Sequence, residues 1–212
     1  DYKEPEDITA DYAKFHGEQD VRRTIFVEMS KRSSTFGEDA AAGPEVWSNF
    51  DFDFSRAPIF YPLNSITIEK GNFSSAKFYS NADFSRTTFI QDADFRWAIF
   101  TRTGYFRGTT FTQNADFGEA TFKEISPKFV DNNEDPDKTL RARFAALAEN
   151  QEAHNFTVRK RSQPIPLGEA ELDGVKYRLP VGTILFDSSS GKTSEPAKPL
   201  DDSDEAEEDK TE

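Results

Sequence analysis

The chain contains no cysteine, a single methionine and only two tryptophans among its 212 residues. Without cysteine the protein can form no disulfide, no thiolate nucleophile and no cysteine-ligated metal site. Its two histidines, His16 and His154, do not lie in a cluster with the spacing of metal ligands. We expect each of them at the surface or at a helix end. The sequence therefore predicts neither a metal site nor a cofactor.

Long apolar runs and catalytic motifs are also missing. No apolar run approaches the roughly 20 residues that a membrane-spanning helix needs. Gly191-Lys192-Thr193 resembles the end of a phosphate-binding loop, but Phe186 stands where that loop needs a glycine. The acidic residues of 131–137 alternate like calcium ligands, but Pro136 and Ala142 replace the required glycine and glutamate. We therefore expect no catalytic residue and no enzymatic activity.

Phenylalanine is the abundant exception, with 21 residues. Apolar anchors recur every five or six residues through the middle of the chain, and from Phe78 onwards the two spacings alternate to give an 11-residue period. Each phenylalanine anchor has glycine, alanine or threonine two positions before it. Neither the helical nor the strand period produces this spacing. The anchors, which we expect to form the structural core, are Ile68, Phe73, Phe78, Phe84, Phe89, Phe95, Phe100, Phe106, Phe111, Phe117 and Phe122.

The repeated order of a small residue, an Asp or Asn and a Phe is clearest in Ala82-Asp83-Phe84 and Ala93-Asp94-Phe95. Over residues 66–122 it resembles the Phe-rich variant of the pentapeptide-repeat family, with an 11-residue double unit. In that family each five-residue unit forms one wall of a square coil. The resemblance implies an all-β fold, a right-handed quadrilateral β-helix whose anchors and small residues point inward.

Two 11-residue units make one 22-residue coil, so equivalent anchors should stack about 4.8 Å apart, the spacing between neighbouring strands. The extra residue of each six-residue step should bulge at two opposite corners. The predicted columns are Phe73/Phe95/Phe117, Phe78/Phe100/Phe122, Phe84/Phe106 and Ile68/Phe89/Phe111.

Degenerate units precede the repeat at Phe52-Asp53-Phe54 and Pro58-Ile59-Phe60, so we place the solenoid at residues 48–124. Weaker echoes of the pattern in residues 1–47 leave two interpretations open for that segment. It forms either an extra coil or an irregular cap.

Residues 125–186 are predicted to close the solenoid. Asp135-Pro136 suits a helix start, and Leu140 and Phe144 then follow at helical spacing, which predicts a capping α-helix over about 136–152. Downstream, the residues around Asp173-Gly174 alternate as in a C-terminal β-hairpin. Residues 181–186 would add a third short strand to that hairpin. The polar, acidic composition of residues 187–212 predicts a disordered acidic tail.

The formal charge of −13 is unevenly distributed. Residues 201–212 carry eight acids and one lysine, a net charge of −7. The solenoid at 48–122 has a net charge of −1, whereas residues 138–161 have a net charge of +4. This balance is unfavourable for direct nucleic-acid binding, so we expect no nucleic-acid partner.

Outward positions of the middle coil combine aromatic residues with arginine, the composition of a protein-binding hot spot. The opposing interpretation is that Trp97 packs at a corner beneath the flanking segments, and the sequence leaves both open. The candidate binding residues are Arg96, Trp97, Ile99, Arg102, Tyr105 and Arg107.

The function that we expect is a non-enzymatic protein-interaction or scaffolding module that binds a protein partner. Two alternatives follow from the resemblance. Some relatives of this kind mimic DNA and protect topoisomerases, but that role needs a strongly acidic solenoid. Others are attached to membrane segments, so the chain could also be the soluble part of a membrane-associated repeat protein. The partner, the compartment and the oligomeric state do not follow from the sequence.

Overall fold

The computed structural model describes residues 51–131, 138–147 and 154–200, together with Val21, Thr24, Ile25 and Glu28, which are helical. Because most of residues 1–47 lie outside the described residues, so does the choice between an extra coil and an irregular cap. Across the described ranges, no helix is long and apolar enough to cross a membrane.

Short strands dominate the described part of the chain. They are β1 (Asp51–Asp53), β2 (Pro58–Ile59), β3 (Thr67–Ile68), β4 (Lys70–Asn72), β5 (Lys77–Phe78), β6 (Ala82–Asp83), β7 (Thr88–Phe89), β8 (Ala93–Asp94), β9 (Ile99–Phe100), β10 (Gly104–Tyr105), β11 (Thr110–Phe111), β12 (Ala115–Asp116), β13 (Thr121–Phe122), β14 (Arg143–Ala145), β15 (Leu167–Leu172), β16 (Val175–Pro180), β17 (Ile184–Phe186) and β18 (Lys198–Pro199).

Most of these strands form the four walls of a coil. Wall 1 consists of β1, β4, β8 and β12, and wall 2 of β2, β5, β9 and β13. Wall 3 contains β6 and β10, and wall 4 contains β3, β7, β11, β14 and β17. Strands within each wall pair in parallel, and partners in the repeat are about one coil apart in sequence, such as Ala93 with Ala115. The all-β solenoid that the repeat predicted is therefore confirmed.

The predicted phenylalanine columns fill the centre of the coil. Phe95 stacks 5.1 Å from Phe73 and 4.9 Å from Phe117, with nearly parallel rings. Rings of neighbouring columns meet edge to face, as between Phe84 and Phe95 at 5.3 Å and 82°. Offset stacking and edge-to-face contact are the two favourable geometries for aromatic pairs. All ten phenylalanine anchors are at most 1% exposed.

The small residues two positions before the anchors face these rings. A Cβ atom at Gly71 would lie only 2.7 Å from the Phe89 ring, and one at Gly104 would lie 3.1 Å from the Phe106 ring. Ala93 and Ala115, at equivalent positions of wall 1, are buried. The space that a ring occupies therefore sets the size of the residue beside it.

The corners are of two kinds. Each five-residue step begins with a tight turn whose first residue is a phenylalanine anchor. The third residue of this turn has a positive φ, as at Ser75 (58°), Trp97 (57°) and Gly108 (68°). The N–H of Ala98 closes one such turn by donating to the carbonyl of Phe95 at 3.0 Å. These turns join wall 1 to wall 2 and wall 3 to wall 4. The six-residue steps bend at the other two corners, which are opposite each other, as predicted.

The degenerate units upstream form a further coil. Phe54 stacks 5.3 Å from Phe73, and Ile59 pairs with Phe78 in wall 2. Leu63 occupies the place equivalent to Phe84, since its N–H donates to the carbonyl of Asp83 at 2.7 Å. Aliphatic side chains therefore replace rings at the edge of the stack.

The predicted capping helix over 136–152 is wrong where the structure describes that segment. Phe144 lies in β14 and stacks 4.9 Å from Phe111, which extends a phenylalanine column. Phe129 similarly stacks 5.1 Å from Phe106. The last regular coil presents unpaired strand edges, and pairing with them satisfies the backbone more completely than an isolated helix would. Pairing with the open strand edges of the last coil is therefore more favourable than the helix that the spacing of Leu140 and Phe144 predicts.

His154 is also placed differently from the prediction, because it is partly buried beside the last coil rather than lying at the surface. Its Nδ1 accepts a hydrogen bond from the N–H of Ala115 at 3.2 Å, and its Nε2 lies 3.0 Å from the carbonyl oxygen of Ala145. Two residues later, Phe156 stacks 6.0 Å from Phe117. Burial lowers the pKa of His154, and the bond to Ala145 partly offsets this shift.

The hairpin, rather than a helix, covers the C-terminal end of the coil. The predicted Asp173-Gly174 turn joins β15 and β16, with φ values of 51° and 82°. Tyr177 and Leu179 of β16 are buried in the same core cluster as the phenylalanines. The predicted third hairpin strand is wrong, because β17 pairs in parallel with β14 in wall 4. The strand β18 pairs with β15 instead.

Residues 187–200 are ordered, so the predicted disorder is wrong for this part of the tail. Phe186 and Thr193 form an antiparallel bridge around a loop in which Asp187 accepts hydrogen bonds from two serine hydroxyls. Gly191-Lys192 lies in this loop. Residues 201–212 lie outside the described residues.

Replacing Phe95 by alanine should lower the free energy of unfolding by about 3–5 kcal/mol, because the ring contacts columns on several sides. Urea denaturation followed by circular dichroism measures this loss. Ile90→Ala is the matched control, since Ile90 is 38% exposed and its truncation should change stability by no more than about 0.5 kcal/mol. Equal losses in the two variants would contradict the columnar core.

Stability should fall as the pH drops below the ordinary histidine value of 6.5, because the folded state lowers the pKa of His154. The unfolded chain therefore binds a proton at this histidine more readily than the folded chain does. The stabilisation that neutral His154 provides is complete above pH 6.5 and is lost as the pH falls towards the lower pKa of the folded state. Urea denaturation at a series of pH values should show this dependence in the wild type. It should disappear in His154→Gln and persist in His16→Gln; an unchanged dependence in His154→Gln would refute the assignment.

Candidate functional site

Most Asp and Asn residues of the repeat lie on the outer face of wall 1, where they accept hydrogen bonds from the turns that follow, as Asp83 does on wall 3. The Oδ1 atom of each accepts a hydrogen bond from the N–H two residues later, at 2.9 Å in Asp94, 2.8 Å in Asp116 and 3.0 Å in Asn155. This local bond is the one that favours Asp and Asn in turns. At Asp53 the bonds from the Ser55 backbone and hydroxyl lower the carboxyl pKa. The turn hydrogen bonds therefore account for the presence of Asp and Asn at these positions.

Wall 1 also concentrates negative charge. Arg96 compensates part of it, because its Nη2 lies 2.7 Å from Asp94 and its Nε lies 3.6 Å from Asp116. The hydrogen bond and charge of Asp94 raise the pKa of Arg96. In the described ranges, no three His, Asp or Glu side chains approach closely enough to hold a metal ion. The five carboxylates of the wall are Asp51, Asp53, Asp92, Asp94 and Asp116.

The structure does not bring the six candidate binding residues together. Arg96 and Trp97 lie at the corner between walls 1 and 2, and Ile99 follows on wall 2. Arg102 lies at the next corner, between walls 2 and 3. The remaining two are farther around the coil.

Tyr105 lies on wall 3, and Arg107 lies at the corner between walls 3 and 4, diagonally opposite Trp97. The Arg107 guanidinium lies 4.6 Å from the Tyr105 ring centre, and its Nη1 lies 3.5 Å from Oδ1 of Asp131. These two residues therefore belong to a separate surface.

Trp97 is the most prominent outward residue of the solenoid. Trp97 is 52% exposed, so the described flanking segments do not bury it. The Arg96 guanidinium lies 5.4 Å from the indole. A φ of 57° is unfavourable for a bulky residue, and Gly108 occupies the equivalent turn position at the opposite corner.

Wall 2 carries further outward aromatic residues that the sequence reasoning missed, at the end of the wall away from Trp97. Tyr79 is 42% exposed, stacks 5.0 Å from Phe60 and lies 4.4 Å from Nζ of Lys77. Lys77 pairs with Ile99 in the strand ladder. We name this surface the aromatic patch; its residues are Phe60, Lys77, Tyr79, Arg96, Trp97 and Ile99.

A usable signal for the missing members was present in the sequence. Lys77 and Ile99 are 22 residues apart, the same coil length that aligned the inward anchors. Applying this period to the outward residues would have joined Lys77 to Ile99. Phe60 and Tyr79 are only 19 residues apart because the first coil is shorter, so their stacking did not follow from the period.

Comparison with known proteins agrees with the four-walled coil and its phenylalanine columns. Residues 73–121 match the family described as pentapeptide repeats, with nine copies. The coil at the centre of the chain is therefore a pentapeptide-repeat β-solenoid, and the resemblance that the sequence suggested is confirmed. No curated protein and no solved structure matches the chain.

The turn strain at Trp97 makes a specific prediction about stability. Trp97→Gly should be more stable than Trp97→Ala by about 1 kcal/mol, because glycine adopts a positive φ without the Cβ clash. Urea denaturation of the two variants measures the difference. At Ile99, which lies in a strand with extended backbone, the order of the glycine and alanine variants should reverse. The same order at both positions would contradict strain at the turn.

Proposed function

We propose that the protein is a non-enzymatic protein-interaction module and that the aromatic patch on wall 2 binds its protein partner. The observation that carries this proposal is Trp97, a large aromatic side chain half exposed at a turn position that holds Ser75, Arg86 and Gly108 in neighbouring coils. The same positive φ occurs at Ser75 and Arg86, so it belongs to the turn, and the large exposed ring is what distinguishes Trp97. Because Gly108 fills the equivalent corner, the turn itself does not require the indole.

The chemistry of the patch suits protein recognition. Tryptophan, tyrosine and arginine are the side chains that contribute most to protein–protein binding energy. The cations of Arg96 and Lys77 lie against the Trp97 and Tyr79 rings, and such contacts restrict the rings before a partner arrives. Binding to rings already held in place costs less conformational entropy. A ladder of parallel strands supports the patch from below, which suits a scaffolding role.

The one imidazole in the described ranges does not support a catalytic alternative. Both ring nitrogens of His154 lie within hydrogen-bond distance of backbone groups, those of Ala115 and Ala145. A general base needs a nitrogen that can reach the substrate proton. This supports a binding function over hydrolytic chemistry at that residue.

A second candidate is protection of a topoisomerase by imitation of DNA. The observation that favours it is the concentration of carboxylates on wall 1, although the solenoid has a net charge of only −1. Asp92→Asn, Asp94→Asn and Asp116→Asn would remove the charge while keeping the side-chain oxygen that the turns use. A gyrase supercoiling assay tests this candidate. Protection by the wild type that is lost in the triple variant would support it over the aromatic patch.

Partner capture should depend on Trp97 and Tyr79. In a quantitative pull-down with the intact chain, a partner retained by the wild type should be lost with Trp97→Gly and with Tyr79→Ser. Arg86→Gly is the matched control, because Arg86 has the same positive-φ turn position at the corner between walls 3 and 4. That variant should retain the partner. If all three variants retained the partner, the proposal would be contradicted.

A further inference from the structure

A cluster of basic side chains lies at the C-terminal end of wall 2. The N–H of Arg159 donates to the carbonyl of Ala120 at 3.0 Å, and that of Gln163 donates to the carbonyl of Phe122 at 2.8 Å. Residues 159–163 therefore form a bulge that pairs with β13 at the open end of wall 2. Arg159, Lys160 and Arg161 are all exposed in this bulge. We name them the basic bulge.

The basic bulge forms no ion pair in the described part of the chain. Within the described ranges, no carboxylate lies within ion-pair distance of Arg159, Lys160 or Arg161. Lys123 adds positive charge beside it, since Lys123 and Gln163 are adjacent outward positions of the ladder. Two exposed acids of the last coil, Glu119 and Glu124, flank the bulge, and neither forms an ion pair with it.

The described chain ends close to this bulge. Arg161 is four residues before Ile165, so their Cα atoms lie at most about 14 Å apart. Ile165 and the last described residue line the same surface cavity. The cavity is formed by Ile165, Pro166, Leu167, Arg178, Val181, Pro199 and Leu200.

The twelve residues that follow Leu200 are strongly acidic, with eight carboxylates and a net charge of −7. Twelve extended residues can span roughly 40 Å. The segment is therefore long enough to reach the basic bulge, and its charge is complementary. An intramolecular contact also benefits from the high effective concentration of a short tether.

We propose that the acidic segment Asp201–Glu212 binds the basic bulge Arg159–Arg161 of the same molecule. Arg178, which lines the cavity where the acidic segment begins, contributes along its path. The basic end of wall 2 is thus a binding surface for acidic peptides. In the isolated protein, the acidic segment of the same chain binds there. This inference goes beyond the proposed function, because none of its residues belongs to the aromatic patch.

A spin label tests the contact in the intact protein. Since the chain has no cysteine, Thr211→Cys provides a single attachment site for a nitroxide. At low salt the label should broaden the backbone amide signals of Arg159, Lys160 and Arg161 in the nuclear magnetic resonance spectrum. The broadening should disappear near 1 M salt, where the Debye length falls to about 3 Å. Absence of broadening at low salt overturns the proposal.

Two matched triple variants separate a specific contact from general charge attraction. Arg159→Gln/Lys160→Gln/Arg161→Gln should abolish the broadening at the bulge. Arg56→Gln/Lys70→Gln/Arg86→Gln removes the same charge from exposed positions elsewhere and should leave the broadening intact. Equal loss in both variants contradicts a specific contact at the bulge.

A mixed sample identifies which molecule supplies the acidic segment. Spin-labelled protein without nitrogen-15 is combined with unlabelled nitrogen-15 protein, so only contacts between molecules broaden the observed signals. We expect no broadening in this sample. Broadening at the bulge would show that a second copy is the occupant and would overturn the intramolecular contact.

Discussion

Each phenylalanine ring of the solenoid requires a small residue to face it and another ring to stack on it. Phe95 meets both requirements, between Phe73 and Phe117 at about 5 Å and beside the buried Ala93. The rings hold the coils at a common height, which lets the short strands pair in register. Walls of only two or three residues would otherwise be too short to be stable alone. Wall register, corner geometry and the placement of outward residues all follow from this packing.

Because the repeat assigns inward positions, the outward positions can vary without disturbing the core. Wall 1 uses them for Asp and Asn residues that hold the turns, and it thereby collects negative charge. Wall 2 carries Tyr79, Trp97 and Ile99 instead. A net charge of −1 for the solenoid conceals this difference between adjacent walls. The chemistry that a partner would meet therefore depends on which wall it approaches.

Most of the core could be predicted because its signal is local and repeated. The errors fall where the repeat ends and distant segments compete for the exposed strand edges. The spacing of Leu140 and Phe144 suits a helix, but Phe144 gains a stacking partner in Phe111 when it joins wall 4. His154 takes a position beside Ala115 that the regular coils give to small residues. Neither partner lies near enough in sequence to leave a periodic signal.

The candidate site shows the same division. The sequence alone determined the coil length, the columns of anchors and the outward direction of Trp97, because five- and six-residue spacing is a property of neighbours along the chain. Only the tertiary structure decided that Tyr105 and Arg107 belong to a different surface and that Tyr79 and Phe60 join wall 2. It also decided that β14, β17 and the hairpin close the coil. These outcomes depend on which strand edges and ring faces remain unpaired after the repeat has folded, and that competition is settled in three dimensions.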